Sequence, residues 1–273
     1  MKRKRGAANE FQELKQLYAE QVLYVANNPQ VAASANGSLA SGFDFMGYLH
    51  HKFSLDIIIE REMRIVDMIA PYVRGRMLDW GCHHGHAAWL LRRRYGSSVQ
   101  IYGCDVFPED AYKPFYEASG LVYTRLHHDY RLDYEDGFFD VVLSNGVLEH
   151  VTDEGQSIRE IHRILKLGGL FVITALPNKY SYTEAVSRLR KISPHERLYT
   201  VTGLDRTLSA AGFRTVSSKH FFVLPTMLAG FPEGMRRLYD KARRAVAVCN
   251  RLLEAVWPLN RVSSSLLFVA QKA

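Results

Sequence analysis

Cysteine is scarce in this chain: Cys82, Cys104 and Cys249 are the only three in 273 residues, odd in number and far apart. That pattern excludes a disulfide framework and points to a reducing compartment, the cytoplasm. Long apolar runs are missing too. No stretch approaches the roughly 18 residues needed to cross a bilayer, and Met1-Lys-Arg-Lys-Arg5 runs into polar residues, not into the apolar centre of a signal peptide. The expectation is a soluble or peripheral protein. Acidic residues are the minority charge, with 35 Lys and Arg against 28 Asp and Glu, a formal balance of +7. Such a balance suits an acidic partner: nucleic acid, an anionic membrane face or a phosphorylated substrate. Much of the excess sits in the N-terminal tail and in Arg236 to Arg251.

What is present is an alternation of short apolar runs and helical periodicity, which predicts a parallel sheet with crossover helices. Candidate strands are Met77–Trp80, Val99–Cys104, Leu121–Leu126, Phe139–Leu143, Leu170–Ala175, the segment FRTVSSKHFF and the final SSLLFVAQK. Apolar spacing predicts helices over Ala87–Arg94 and over Ser157–Leu165, and Thr202 starts another that stops at Gly212. The α/β domain spans residues 61–273, and two segments fall outside its core. Residues 1–60 form a helical cap, with helical patterns at Phe11–Val25 and from Leu55 to Ile69 around a small-residue loop at Ala32–Gly42. A helical insertion of about residues 225–260 precedes the last strand. It sets Leu238, Ala242, Ala245, Cys249, Leu252 and Val256 on one face, with Arg237, Lys241, Arg244 and Arg251 on or near the other.

The richest stretch is RMLDWGCHHGHAAWLL, Arg76 to Leu91, in which a buried strand meets a glycine turn that opens a helix. Unpaired amides at such a helix start can hold the polar end of a nucleotide-like ligand. Asp79, Gly81, Cys82 and Gly85 read as D-x-G-C-x-x-G, which resembles the first motif, D-x-G-C-G-x-G, of class I S-adenosylmethionine (SAM) dependent methyltransferases. His83 stands at the usual middle glycine. A dinucleotide fingerprint needs a third glycine and room for a pyrophosphate, which His83 and His84 take up. Neighbouring histidines on a turn and helix start seldom converge on one ion, so no metal is expected of His83, His84 and His86.

Three further segments follow in the order the resemblance requires. Asp105 ends the second strand twenty residues past Gly85, where a carboxylate can accept both ribose hydroxyls, and the resemblance implies that Val106 or Phe107 next to it lies against the adenine. His128-Asp129-Tyr130 follows the third strand, and Asp129 resembles the family acid that accepts the adenine amine. Ser144-Asn145-Gly146 leaves the fourth strand, and REIHRILKLGG is similar to the family's R-E-x-x-R-V-L-K-P-G-G. The resemblance covers Met77 to Asn178. It implies a doubly wound, seven-stranded, Rossmann-like sheet, SAM as cofactor, and a site of Asp79, Gly81, Cys82, Gly85, Asp105, Val106, Asp129, Tyr130 and Asn145.

The acceptor is bounded by absences. Neither [DN]-P-P-[FY] nor a Pro-Cys nucleophile is present, which disfavours methylation of base amino groups and of base carbon. The chain is similar to ubiquinone-pathway O-methyltransferases and to bacterial enzymes acting on small molecules, glycans and lipids. The expected reaction is O-methylation of such an acceptor, with RNA methylation or a silent SAM-binding role as alternatives. A hydroxyl nucleophile needs a base, and His150 and His195 are the candidates. His195 begins His-Glu-Arg-Leu-Tyr199-Thr200, which resembles the H-x-x-x-Y/F-T of small-molecule methyltransferases. The Arg236–Trp257 helix is either a packing element or a contact to an anionic membrane.

Overall fold

The computed structural model describes residues 2–38, 44–128, 130–191, 195–228 and 230–273, apart from the side chains of residues 2–5 and 7. The chain begins with α1 (Lys2–Asn27), α2 (Pro29–Asn36), α3 (Phe45–Phe53) and α4 (Asp56–Ile69). The core then alternates: β1 (Arg76–Trp80), α5 (His86–Tyr95), β2 (Gln100–Asp105), α6 (Lys113–Ser119), β3 (Val122–Arg125), β4 (Phe139–Asn145), α7 (Glu154–Ile164) and β5 (Leu165–Pro177). It closes with α8 (Tyr182–Leu189), α9 (Val201–Ala210), β6 (Phe213–Phe221), α10 (Glu233–Lys241), α11 (Arg243–Glu254) and β7 (Ser265–Lys272).

All seven expected strands form one sheet of order β3-β2-β1-β4-β5-β7-β6. β1 to β5 pair in parallel, whereas β7 runs antiparallel to both β5 and β6. The order reverses beside β1, so the carboxyl ends of β1 and β4 flank the crevice where open α/β sheets bind ligands. Local chemistry accounts for the crossover helices. In α7, Asp153 accepts from Gln156 N at the start, and Ile158, Ile161 and Ile164 form the buried stripe.

Two details depart from the expectation. Pro29–Asn36, placed partly in a loop by its small residues, is helical. Proline at the first turn and alanines within favour that state. Residues 39–43 of the expected loop lie outside the described residues. The cap of the helix after His195 is Thr200, not Thr202: its Oγ1 accepts from Gly203 N at 3.0 Å.

The sheet is buried on both faces. Leu78, Trp80, Val142, Phe171 and Phe268 pack with α7 and α9 on one side. On the other, Met77, Val141, Leu143 and Val172 share a hydrophobic cluster with Leu14, Tyr18, Phe45, Leu49 and Ile65 of the N-terminal helices. Cap and sheet are therefore packed through one continuous core.

The insertion is two helices, α10 and α11, broken at Ala242. Its predicted apolar stripe faces solvent: Leu238 is 69% exposed and Leu252 64%. The inward face carries Val246, Asn250 and Glu254. Periodicity locates a stripe but cannot say which side meets protein, and here the polar side does so because it meets polar groups. Asn250 Oδ1 accepts from Leu224 N at 2.7 Å and Glu254 Oε1 from Phe222 N at 2.8 Å. Glu254 also pairs with Arg64 of α4. Asp240 accepts from Ile57 N at 2.7 Å, capping α4 from a distance. Glu254→Ala strands a partly buried guanidinium and an amide, so it should cost on the order of 3–5 kcal/mol in chemical denaturation. A loss below about 1 kcal/mol would show a solvent-screened pair.

Candidate active site

The turn after β1 is closed by its own amides. Gly81 N and Cys82 N both donate to Cys104 O, at 2.8 and 3.1 Å, and Gly85 N donates to Cys82 O at 2.8 Å. His83 N donates to Asp105 Oδ2 at 2.7 Å. The amides of Gly81, Cys82, His83 and Gly85 are thus committed where the loop curls back onto β2. What it offers a ligand is close backbone approach. A Cβ on Gly81 (φ +68°) would lie 2.4 Å from Val147 Cγ2, so only glycine fits the floor. The Cys82 side chain is buried behind the turn, toward Tyr116 and Gly103.

His83 adopts φ +49°, the left-handed state a glycine would supply. Its imidazole packs among cap and core aromatics. Nε2 lies 3.1 Å from Tyr112 Oη, and the ring centroid stands 5.2 Å from that of Tyr48. Nδ1 meets His84 Nδ1 at 2.9 Å, while His84 Nε2 meets Tyr18 Oη at 3.3 Å. Burial holds both imidazoles well below the usual histidine range, so they are neutral and can relay these bonds. His86 Nε2 instead sits 2.9 Å from Glu62 Oε2 of α4. Burial alone would raise Glu62, but Arg61, His86 and Lys52 together hold it well below the carboxylate range.

Two acids lie side by side at the strand ends. Asp105 accepts from His83 N through Oδ2 and from Val106 N at 2.7 Å through Oδ1. Burial raises its pKa and those amides oppose the rise. Asp79 is pushed up to about 8 by burial and then by the charge of Asp105. Among the described residues no cation pairs with either. Val106, Tyr130 and Asn145 line the same cavity, and Asn145 Oδ1 is buried without a hydrogen-bond partner among the described residues. Asp129 lies outside the described residues.

Glu149, His150 and His195 line the same cavity. The His150 and His195 rings are 5.7 Å apart, and His195 Nδ1 meets Glu184 Oε2 of α8 at 3.0 Å. Burial raises Glu149 to about 7. Burial, and then His195 and Arg197, lower His150. The two loops are tied together: Arg197 donates to Leu148 O and Val151 O, and Tyr199 Oη to Leu148 O at 3.1 Å. The structure therefore gathers Asp79, Gly81, Cys82, Asp105, Val106, Tyr130, Asn145, His150 and His195 around a single cavity of about 1340 Å³. Gly85 is absent from its lining and starts α5 in the left-handed state. Sequence reasoning missed Glu149, Glu184 and the cap residues Tyr48, Lys52 and Arg61, all of which line it. Only Glu149, beside His150, carried a local signal.

Residues 78–173 match the methyltransferase-domain family model. The seven-stranded sheet has the class I methyltransferase fold. The chain's residues are 28% identical to the ubiquinone/menaquinone biosynthesis C-methyltransferase UbiE of Geobacter sp. strain M21, over 50% of this chain and 59% of that protein. The fold resembles a SAM-dependent methyltransferase of Archaeoglobus fulgidus, with TM-score 0.53 and 21% identity over 77% of this chain and 94% of that one. It also resembles phosphoethanolamine N-methyltransferase 2 of Haemonchus contortus, solved with SAM (TM-score 0.53, 19% identity, 78% of this chain and 52% of that one). The chain spans less than two thirds of the length of the curated relatives it matches.

SAM is the cofactor of methyltransferases of this fold, and the cavity fits it on structural grounds. A cradle that admits only glycine, two buried carboxylates without a cation, and an orphaned amide oxygen are what a cationic nucleoside would satisfy. Asp105→Ala should weaken SAM binding by about 1–3 kcal/mol in titration calorimetry, and an unchanged affinity would remove Asp105 from the site. A bound cation favours ionised Asp79, whose pKa is about 8, so binding at pH 7 should expel a proton and affinity should climb toward pH 8. The buffer dependence of the binding enthalpy measures that proton; Asp79→Asn should release less.

Proposed function

We propose that this chain is a SAM-dependent methyltransferase that modifies a hydroxyl oxygen of a small-molecule, glycan or lipid-linked acceptor. The observation that carries the reading is the cavity itself. At about 1340 Å³ it exceeds the roughly 300–1,000 Å³ of a single-ligand pocket, and its lining carries the acids Asp79 and Asp105 as well as the imidazoles of His150 and His195. SAM, held by Asp79, Asp105, Val106, Tyr130 and Asn145, supplies a methyl group already activated on a sulfonium. The chain's own part is to position the acceptor, exclude water and manage the hydroxyl proton. His150 and His195 on the cavity lining are the groups suited to take that proton, and Tyr48 and His83 line the same cavity.

The surface supports an acceptor presented at an anionic membrane. No helix of the described residues is long and apolar enough to cross a bilayer. The outward side of α10 and α11 nevertheless exposes Met235, Leu238, Val248 and Leu252, interleaved with Arg237, Lys241, Arg244 and Arg251, and Trp257 is exposed just beyond α11. Apolar side chains among cations are what an interfacial helix presents to acidic lipid. Tyr182 and Val186 of α8 are exposed as well, while their neighbours Thr183 and Ser187 line the cavity, so apolar surface reaches its rim.

Label from methyl-tritiated SAM, incubated with a cell extract and this protein, should enter nuclease- and protease-resistant material as a base-stable ether. Label in RNA or as a methylamine would contradict the O-methylation reading. Vesicles containing phosphatidylglycerol should sediment the protein at low salt and release it as salt rises, with Leu238→Asp/Leu252→Asp weakening the attachment. Equal sedimentation on neutral vesicles, or none on either, would remove the membrane from the account.

A further inference from the structure

The acceptor end of the cavity holds a set of donors that no part of the cofactor site requires. One ligand atom each from Glu149, His150 and His195 lies within 4.8 Å of the others. Bonds of about 2.0–2.2 Å bring even opposite ligands to about 4.2 Å, so side-chain movements of about 1 Å close the set around one ion. We propose that these three residues bind a divalent transition-metal ion, and that this ion is what receives the acceptor's oxygen. The role of the ion, though not its binding, rests on the O-methylation reading above.

Three independent features support a built site. Glu149 is 2% exposed, and its Oε2 has no hydrogen-bond partner among the described residues. A carboxylate buried that deeply needs a cation or a proton, and His150 Nε2 stands 4.0 Å from its Oε1. His195 is already oriented as a ligand. Its Nδ1 engages Glu184, the carboxylate–histidine arrangement that orients metal-bound imidazoles. Glu184 is in turn held by Arg188 Nε at 3.3 Å. The two ligand loops, finally, are cross-tied by Arg197 and Tyr199 onto the carbonyls of Leu148 and Val151, so the donors are positioned before any ion arrives.

Two imidazoles and one carboxylate select borderline ions such as Zn²⁺, Co²⁺ or Ni²⁺ over Mg²⁺, which prefers an all-oxygen octahedron. Three protein ligands leave positions open, as catalytic sites do. An acceptor with one hydroxyl, or two adjacent oxygens, fits them. The ion then lowers the pKa of the coordinated hydroxyl, whose proton leaves to solvent past the half-exposed His150.

The test is a Co²⁺ titration of untagged, chelator-stripped full-length protein, followed by visible absorption and calorimetry. One Co²⁺ per chain, displaced by Zn²⁺ and not by Mg²⁺, is expected. Glu184→Gln should weaken binding 10–100-fold while leaving SAM affinity unchanged. His150→Ala/His195→Ala should abolish the band, with SAM binding as the check that the variant is folded. No stoichiometric Co²⁺, or a band that survives in the folded double variant, overturns the site and moves any metal to other histidines. Should Co²⁺ bind as expected while SAM does not, the site stands and the methyltransferase reading fails.

Discussion

The bond from His83 N–H to the Asp105 carboxylate ties the molecule together. It joins the turn after β1 to the end of β2, and residue 83 makes it from the left-handed region. A glycine there would meet that demand with less strain. Histidine makes the same backbone bond and adds an imidazole that reaches Tyr112, His84 and Tyr48. The residue that departs from the family motif thus welds the cofactor turn to the N-terminal helices.

That weld explains why the cap belongs to the site. Lys52, Arg61 and Glu62 are pinned by the same buried network, in which His86 touches Glu62 and Tyr18 touches His84. α4 continues the chain of contacts to the insertion through Arg64 and Glu254. Elements from both ends of the sequence therefore close one cavity, and the sheet alone would leave it open. Ala175, at φ +57° on the cavity wall, is a further non-glycine residue held in a sparsely populated conformation where β5 meets the site.

The sheet was legible in the sequence because its evidence is local. Apolar runs mark strands, and glycines mark turns that no other residue enters easily. The acids at the ends of β1 and β2 were legible for the same reason, since Asp79 and Asp105 sit at positions the strand pattern defines. What escaped was set by partners far along the chain. Nothing local shows that His83 would find Tyr112 and Tyr48, or that Glu184 would come to lie against His195. The outward turn of α10 and α11 escaped because periodicity ranks the faces of a helix by polarity alone, and the buried face here is the one with hydrogen bonds to make.

The central claim is that the acid-lined end of this cavity binds S-adenosylmethionine. Titration calorimetry of the purified full-length chain with SAM and with S-adenosylhomocysteine tests it most directly. The account predicts one site per chain for each ligand, the two competing for it. Failure of both to bind a folded protein would contradict it.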